Sequence, residues 1–374
     1  MESKQRDVAI DILKGLAIIV IVMWHADSPF AQYLKSFHVA VFFMASGYVA
    51  SDKYTKNIKG IVVLAKKRIV SLYVPFVICN AACILFNNLL LKMHIYMSLT
   101  ESANFTDGRY NIKPWYSLNE TIKLIAKTFL GEGAGGLAGA SWFLKTLLAI
   151  VIISASLHYI AQFLKKDNVR NMFIICCAGI CLMGGYILSI KQTMIFVGTV
   201  LTNIFLYELG YMLHYYKKTI NKLYSNKVIN VVAMVVSICI LVFSRKYGNI
   251  SYANNTYHDP LIVIISAISG WVLLYNLAML FEKNKNLTKM TAYIGRNTLP
   301  ILLIHFLAFK VVTALQILIY NEPIHKLAAF PVLKSEGIWW VLYAIVGIIG
   351  SLLLNCGYKQ AKGFLIARIR RKNK

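Results

Sequence analysis

Apolar runs of about 20 residues recur along the whole 374-residue chain, and this repetition decides the fold class before any motif is read. A soluble core has no use for so much unbroken apolar surface: 58% of the residues are hydrophobic, 15% are charged, and mean hydropathy is +0.61. In lipid, each backbone polar group must be paired within its own segment, so runs of this length become helices. The expected protein is all-α and polytopic, with about ten spans at 8–26, 36–51, 69–91, 141–164, 172–190, 193–215, 228–244, 260–281, 293–319 and 338–356. One integral membrane domain is expected to fill residues 1–374.

Net charge is +25, which in a soluble protein would suggest nucleic acid. Here the basic residues gather between the apolar runs, so no nucleic-acid partner is expected and the bilayer is the partner instead. With the N-terminus cytoplasmic, the inner segments carry about 25 Lys and Arg, well above the outer loops. Both termini are then expected in the cytoplasm of a multi-pass cell-membrane protein. The densest inner clusters, Lys53 to Arg68, Lys217 to Lys227 and Arg368 to Lys374, suit contact with anionic lipid. Of the seven cysteines, Cys79, Cys83, Cys176, Cys177, Cys181 and Cys239 lie mostly inside apolar segments, without the spacing of a metal knuckle or a disulfide framework. No metal site is expected.

The first span is the unusual one. Between Val8 and Ala26 it carries Asp11, Lys14 and His25. Such charges interrupt the apolar region a signal peptide needs, so the segment is expected to be retained as a helix. An ionisable group in the hydrocarbon costs a few kcal/mol and usually faces a protein interior or a wet cavity. The eleven-residue step from Lys14 to His25 is roughly three turns, or about 16 Å, which places both on one face. Asp11, three residues before Lys14, can pair with it.

Elsewhere the pattern is less pointed. The longest outer loop, 92–119, mixes Tyr96, Phe105, Asp107, Arg109, Tyr110, Trp115 and Tyr116, which suits either stacking on sugar rings or an interfacial aromatic belt. A short amphipathic stretch, Leu118 to Leu130, precedes the glycine-rich run 131–140, whose spacing matches neither a Walker loop nor a dinucleotide fingerprint. No internal repeat points to a transporter made of two related halves. Among the eight histidines, His25, His38 and His305 fall at or within spans, where a side chain that titrates near neutrality can take a proton from a hydroxyl.

Several segments together carry a specific resemblance. An acidic residue, Lys14, ten intervening residues and His25 are followed by His38, Phe42, Phe43, Ser46 and Gly47, then by Arg68 and Pro75. Trp142, Phe143 and Leu144 open a later helix, and Gly295, Arg296, Asn297 and Thr298 lead to His305. This order resembles the acyltransferase 3 family of integral membrane acyltransferases, most diagnostically in residues 1–80 and again at 141–145 and 293–306.

The resemblance implies a bacterial envelope enzyme that takes an acyl group, most commonly acetyl, from cytoplasmic acyl-CoA to a carbohydrate hydroxyl. By motif position His25 would be the catalytic histidine and Lys14 its basic partner. Many relatives have Arg there; lysine neutralises a phosphate as a point charge but lacks the planar fork. Acetyl-CoA would be the donor, and the acceptor a capsule, exopolysaccharide or lipid-linked glycan. No soluble domain is expected after the last helix, which leaves acceptor recognition to the outer loops.

Acyl-CoA has a polyanionic nucleotide end and a long thin arm with the thioester at its tip, and the 16 Å between Lys14 and His25 suits those two ends at about three helical turns. On this reading Lys14, Lys67 and Arg68 hold phosphate or amide oxygens, and Asp11 orients Lys14. His25 acts as general base or carries the acyl group. His38, Ser46, Trp142, Asn297 and His305 line the passage or donate to the developing oxyanion. The competing reading is a polysaccharide or solute transporter or flippase with His25, Lys14 and Asp11 as a proton relay.

Overall fold

The computed structural model describes residues 7–105, 108–224, 226–247 and 250–372, except the side chains of residues 221, 223, 224, 247 and 364–372. Asp107 and the side chains of the basic cluster Arg368 to Lys374 therefore lie outside the described residues. The chain folds as α1 (Val8–His25), α2 (Ala31–Leu34), α3 (His38–Tyr48), α4 (Ile58–Arg68), α5 (Val74–Leu85), α6 (Asn87–Lys92), α7 (Leu99–Ser102) and α8 (Leu118–Thr128). It continues through α9 (Trp142–Ala161), α10 (Asp167–Lys191), α11 (Ile195–Tyr215), α12 (Lys217–Tyr224), α13 (Lys227–Ser244), α14 (Pro260–Glu282), α15 (Lys285–Arg296), α16 (Thr298–Tyr320) and α17 (Trp339–Lys372). Among the described residues there is no β-strand, only isolated bridges such as Met97 to Ile112.

Nine helical segments among the described residues are long and apolar enough to cross a membrane, against the ten expected. The difference is the segment 36–51. Its helix α3 has 11 residues and so reaches about 16 Å, half the hydrocarbon thickness. Every α3 residue except Ser46 is buried, so the Phe42 and Phe43 stripe is core rather than lipid-facing. Two further boundaries differ. The third span begins at Ile58 rather than 69, because α4 runs into α5 through a π-helical turn at Ile69–Tyr73. The expected span 293–319 is broken at Asn297, between α15 and α16.

Local chemistry explains several ends. Asn57 Oδ1 accepts from Gly60 N at 2.8 Å to start α4, and Ser117 forms a reciprocal capping box with Glu120 to start α8. Asp259 caps α14, with Pro260 at its first position where no amide hydrogen is needed.

The chain divides into two compact units. The first takes residues up to Ile21, then Phe30–Ile78 and Trp142–Arg296; the second takes Val22–Pro29, Cys79–Ser141 and Asn297–Lys374. Within the first, glycines let helices touch backbone to backbone. A Cβ on Gly47 would lie 1.8 Å from Tyr207 O, and one on Gly210 would lie 1.9 Å from Met44 O, so α3 and α11 meet with no side chain between them. A second such seam joins α1 to α15, where a Cβ on Gly295 would lie 1.8 Å from Asp11 O and one on Gly15 2.1 Å from Thr291 O.

Within the second unit, polar side chains pin the loops to the helices. Asn80, fully buried on α5, accepts from Ala134 N at 2.7 Å and donates to Ser141 Oγ at 2.9 Å, which ties down both ends of the glycine-rich run. Lys310, buried on α16, donates to Leu327 O at 2.9 Å and Ala329 O at 2.6 Å. A buried amino group that lost those carbonyls would be left unsatisfied, so the two bonds tie the segment after α16 to the helix.

Candidate functional site

Two histidines meet in the second unit. His25, the last residue of α1, is half-buried, and His305 on α16 is fully buried. His305 Nε2 lies 3.0 Å from His25 Nδ1, while His305 Nδ1 lies 2.9 Å from Ile301 O, one turn back on its own helix. A carbonyl only accepts, so His305 carries its proton on Nδ1 and presents Nε2 as the acceptor. The proton shared between the rings then belongs to His25 Nδ1. That leaves the lone pair of a neutral His25 on Nε2, where an imidazole acts as base or nucleophile.

Aromatic rings hold this arrangement. His25 stacks on Phe306 with centroids 4.5 Å apart, and Trp24 meets it edge-on at 4.4 Å. Phe306 in turn packs on Phe330 at 4.7 Å, and Phe309 stands edge-on to His305 at 5.6 Å. Such rings exclude water from one side of the pair and restrict rotation of the imidazoles.

The other residues singled out from sequence distribute as follows. Asp11 is buried in the first unit, with Arg296 Nη1 3.8 Å from its carboxylate. This contact links the acidic residue of α1 to the Gly295, Arg296, Asn297, Thr298 motif at the close-packed seam. Lys14 is half-buried on α1 beside Gly15 of that seam. His38 is buried at the start of α3, with Nδ1 donating to Leu34 O at 3.0 Å and Lys35 O at 3.1 Å. Ser46 donates to Phe42 O at 2.8 Å on its own helix. Trp142 opens α9, and its carbonyl accepts from Thr146 Oγ1 at 3.0 Å. Asn297 occupies the N-cap position of α16 without a side-chain cap bond.

Lys67 and Arg68 belong to a distinct setting at the end of α4. Lys67 Nζ donates to Tyr54 Oη at 2.9 Å, and Lys53 lies 4.8 Å from the centre of the same ring. These ammonium groups, with the Lys67 hydrogen bond foremost, hold the Tyr54 phenol below its ordinary range. Arg68 lines a cavity of about 230 Å³ with Asp52, Lys53, Tyr54, Tyr207 and Tyr211.

The sequence reading missed a buried acid beside that cavity, held by Ser154 and His158 of its lining. Glu208, fully buried on α11, accepts from Ser154 Oγ with one carboxylate oxygen and from His158 Nε2 at 2.8 Å with the other. Because the serine bonds to the carboxylate rather than to the histidine, this is no nucleophile arrangement; it is a compensated buried acid. The available signal was an acid in the middle of the apolar run 195–215, the same signal that drew attention to Asp11. Among the described residues, no group of three or more His, Cys, Asp or Glu side chains is placed to hold a metal.

An acyltransferase domain model, that of the acyltransferase 3 family, matches residues 7–356 and so runs through both compact units. Comparison with curated proteins and with solved structures returned no match.

Proposed function

Since the chain belongs to the acyltransferase 3 family, we propose that it is a membrane O-acetyltransferase that moves an acetyl group from cytoplasmic acetyl-CoA to a hydroxyl of an envelope or exported carbohydrate. Its membrane is the bacterial cytoplasmic membrane, with both termini inside, as the excess of basic residues on the inner segments favours. The observation that carries this reading is the His25–His305 pair, which supports an oriented base on the helix that also bears Lys14.

In the reaction, His25 Nε2 takes the proton of the acceptor hydroxyl as its oxygen attacks the thioester carbonyl. The carbon–sulfur bond breaks, the proton passes to the departing thiolate, and the products are the O-acetyl sugar and free CoA. His305 is the positioning residue: it accepts the His25 Nδ1 hydrogen and spreads the charge that develops on the ring. Lys14, about three helical turns away, neutralises charge toward the nucleotide end of the donor, and Asp11 with Arg296 fixes the α1 end on which Lys14 stands. Capsule, exopolysaccharide and lipid-linked glycan share the hydroxyl chemistry this requires.

The test is the O-acetyl content of envelope glycans, read by proton NMR in cells lacking the protein and complemented with wild type, His25→Ala or Lys14→Ala. An acetyl signal that returns with wild type and stays absent with His25→Ala supports the reading. Unchanged acetylation with impaired glycan export or solute uptake would overturn it in favour of a transporter.

A further inference from the structure

Lys310 is a buried amino group on the apolar helix α16 that the chemistry proposed at His25 does not use. It stands one turn beyond Phe306 on the same face, because residues four apart are neighbours on a helix surface. Its two bonds go to the end of a short 3₁₀ turn, Ile324–Ala328, and to the residue after it. A helix end leaves its last carbonyls in need of donors. Here Lys310 Nζ supplies Leu327 O at 2.9 Å and Ala329 O at 2.6 Å, and Asn111 N supplies Ala328 O at 3.0 Å. Phe330 N donates in turn to Arg109 O at 2.8 Å. The segment 327–330 is thus tied both to α16 and to residues 109–111.

The residue delivered by this clamp is Phe330. Its ring centre lies 4.7 Å from that of Phe306, and Phe306 stacks on His25 at 4.5 Å with 20° between the ring planes. Phe306 is buried, and a Cβ on Gly139 would lie 3.9 Å from its ring, so the glycine-rich run closes another flank. A ring in contact with both Phe330 and His25 loses packing when it turns. The His25 ring must in turn keep its plane for Nδ1 to stay 3.0 Å from His305 Nε2. All of these residues belong to the second unit.

We propose that Lys310 and Phe330 are positioning residues for His25. Lys310 fixes segment 327–330, Phe330 holds Phe306 flat against the imidazole, and the imidazole keeps its Nδ1 on His305 and its Nε2 free for the acceptor hydroxyl. The inference rests on the acetyl-transfer reading for the role of His25 and adds how that base is kept in place. It also accounts for an amino group in an apolar helix, since an apolar residue at 310 would leave two carbonyls without their donors. Residues 109–111 gain a mechanical link to the base, because Arg109 is bonded to Phe330.

The test is the rate at which diethyl pyrocarbonate modifies His25 in the purified full-length protein in phosphatidylcholine nanodiscs. Peptide mass spectrometry reads it against the exposed His258 of the same sample. Phe330→Leu, which keeps an apolar side chain but removes the ring, should raise the His25 rate by roughly 3- to 10-fold, the worth of one ring pair. Lys310→Met, which keeps the side-chain length but removes both donors, should shift the rate in the same direction. Phe330→Tyr, which keeps the ring, should match wild type. In acetyl transfer, Phe330→Leu should lower kcat and leave KM for acetyl-CoA unchanged. A wild-type His25 rate in Phe330→Leu, whatever the loss of thermal stability, would overturn the proposal, and this variant carries the test should Lys310→Met not fold. A His25 rate that responds in a protein showing no acetyl transfer would overturn the acetyltransferase reading and leave the positioning intact.

Discussion

Two histidines, His25 in the second unit and His158 in the first, differ in what each ring nitrogen touches: an imidazole in one case, a carboxylate in the other. His158 gives Nε2 to the buried Glu208 carboxyl group at 2.8 Å. His25 gives Nδ1 to a second imidazole that is itself fixed by a backbone carbonyl, so its Nε2 keeps the basic lone pair. The lesson is that a histidine near a helix end is not a functional signal in itself. What separates the two here is the setting: His25 is half-buried at the end of α1, whereas His158 and its carboxylate partner are both buried.

The comparison breaks most sharply at His25. His25→Ala should reduce acetyl transfer by on the order of 10³-fold with the fold preserved, measured as turnover in proteoliposomes alongside thermal unfolding. A residual rate near wild type would place the base elsewhere.

His305→Gln should cost on the order of 10²-fold in kcat with little change in KM for acetyl-CoA, because it disturbs the tautomer of His25 rather than donor binding. The acid limb of the pH–rate profile should move in this variant. A KM effect without a kcat effect would make His305 a lining residue only.

The opposite signature is expected at the other histidine. Glu208→Ala leaves Ser154 and His158 facing a buried gap, and should destabilise the protein by about 3–5 kcal/mol in detergent unfolding. Glu208→Gln, which retains an acceptor for Ser154, should lose less. Equal stability of the two variants would mean that packing, not charge compensation, governs this cluster.

The smallest expected effect concerns the seam that holds α1. Gly295→Ala puts a methyl 1.8 Å from Asp11 O, so the helices must separate, at a cost of roughly 1–3 kcal/mol. Transfer should fall through displacement of α1, and Ala at Gly357, where no atom lies within 4 Å of the added carbon, should be neutral in the same assays.

Much of the helical framework was readable in advance, since apolar length and the long spans are properties of contiguous residues. The errors came where length misled. The run around Phe42 and Phe43 is apolar enough to suggest a membrane span, yet α3 stops at Tyr48 after 11 residues and is buried nearly all round by its own unit. The run 293–319 concealed a break, because α15 is an amphipathic helix that ends at Arg296 before α16 begins. On the candidate site, the charged first helix was evident, whereas Glu208 escaped notice despite standing alone among apolar neighbours.

The sequence by itself determined the membrane class, the positions of most helices, the charged residues of α1 and the motifs that place the chain in its family. These follow from local patterns: hydropathy over one span, spacing along one helix, residue order in short segments. Only the tertiary structure decided that Asp11 faces Arg296, that Ser154 and His158 share Glu208, and that His25 meets a partner 280 residues away. Periodicity tells which face of a helix a side chain occupies. Which helix it meets there depends on how closely backbones approach, and in this protein glycines on α1, α3, α11 and α15 set that approach.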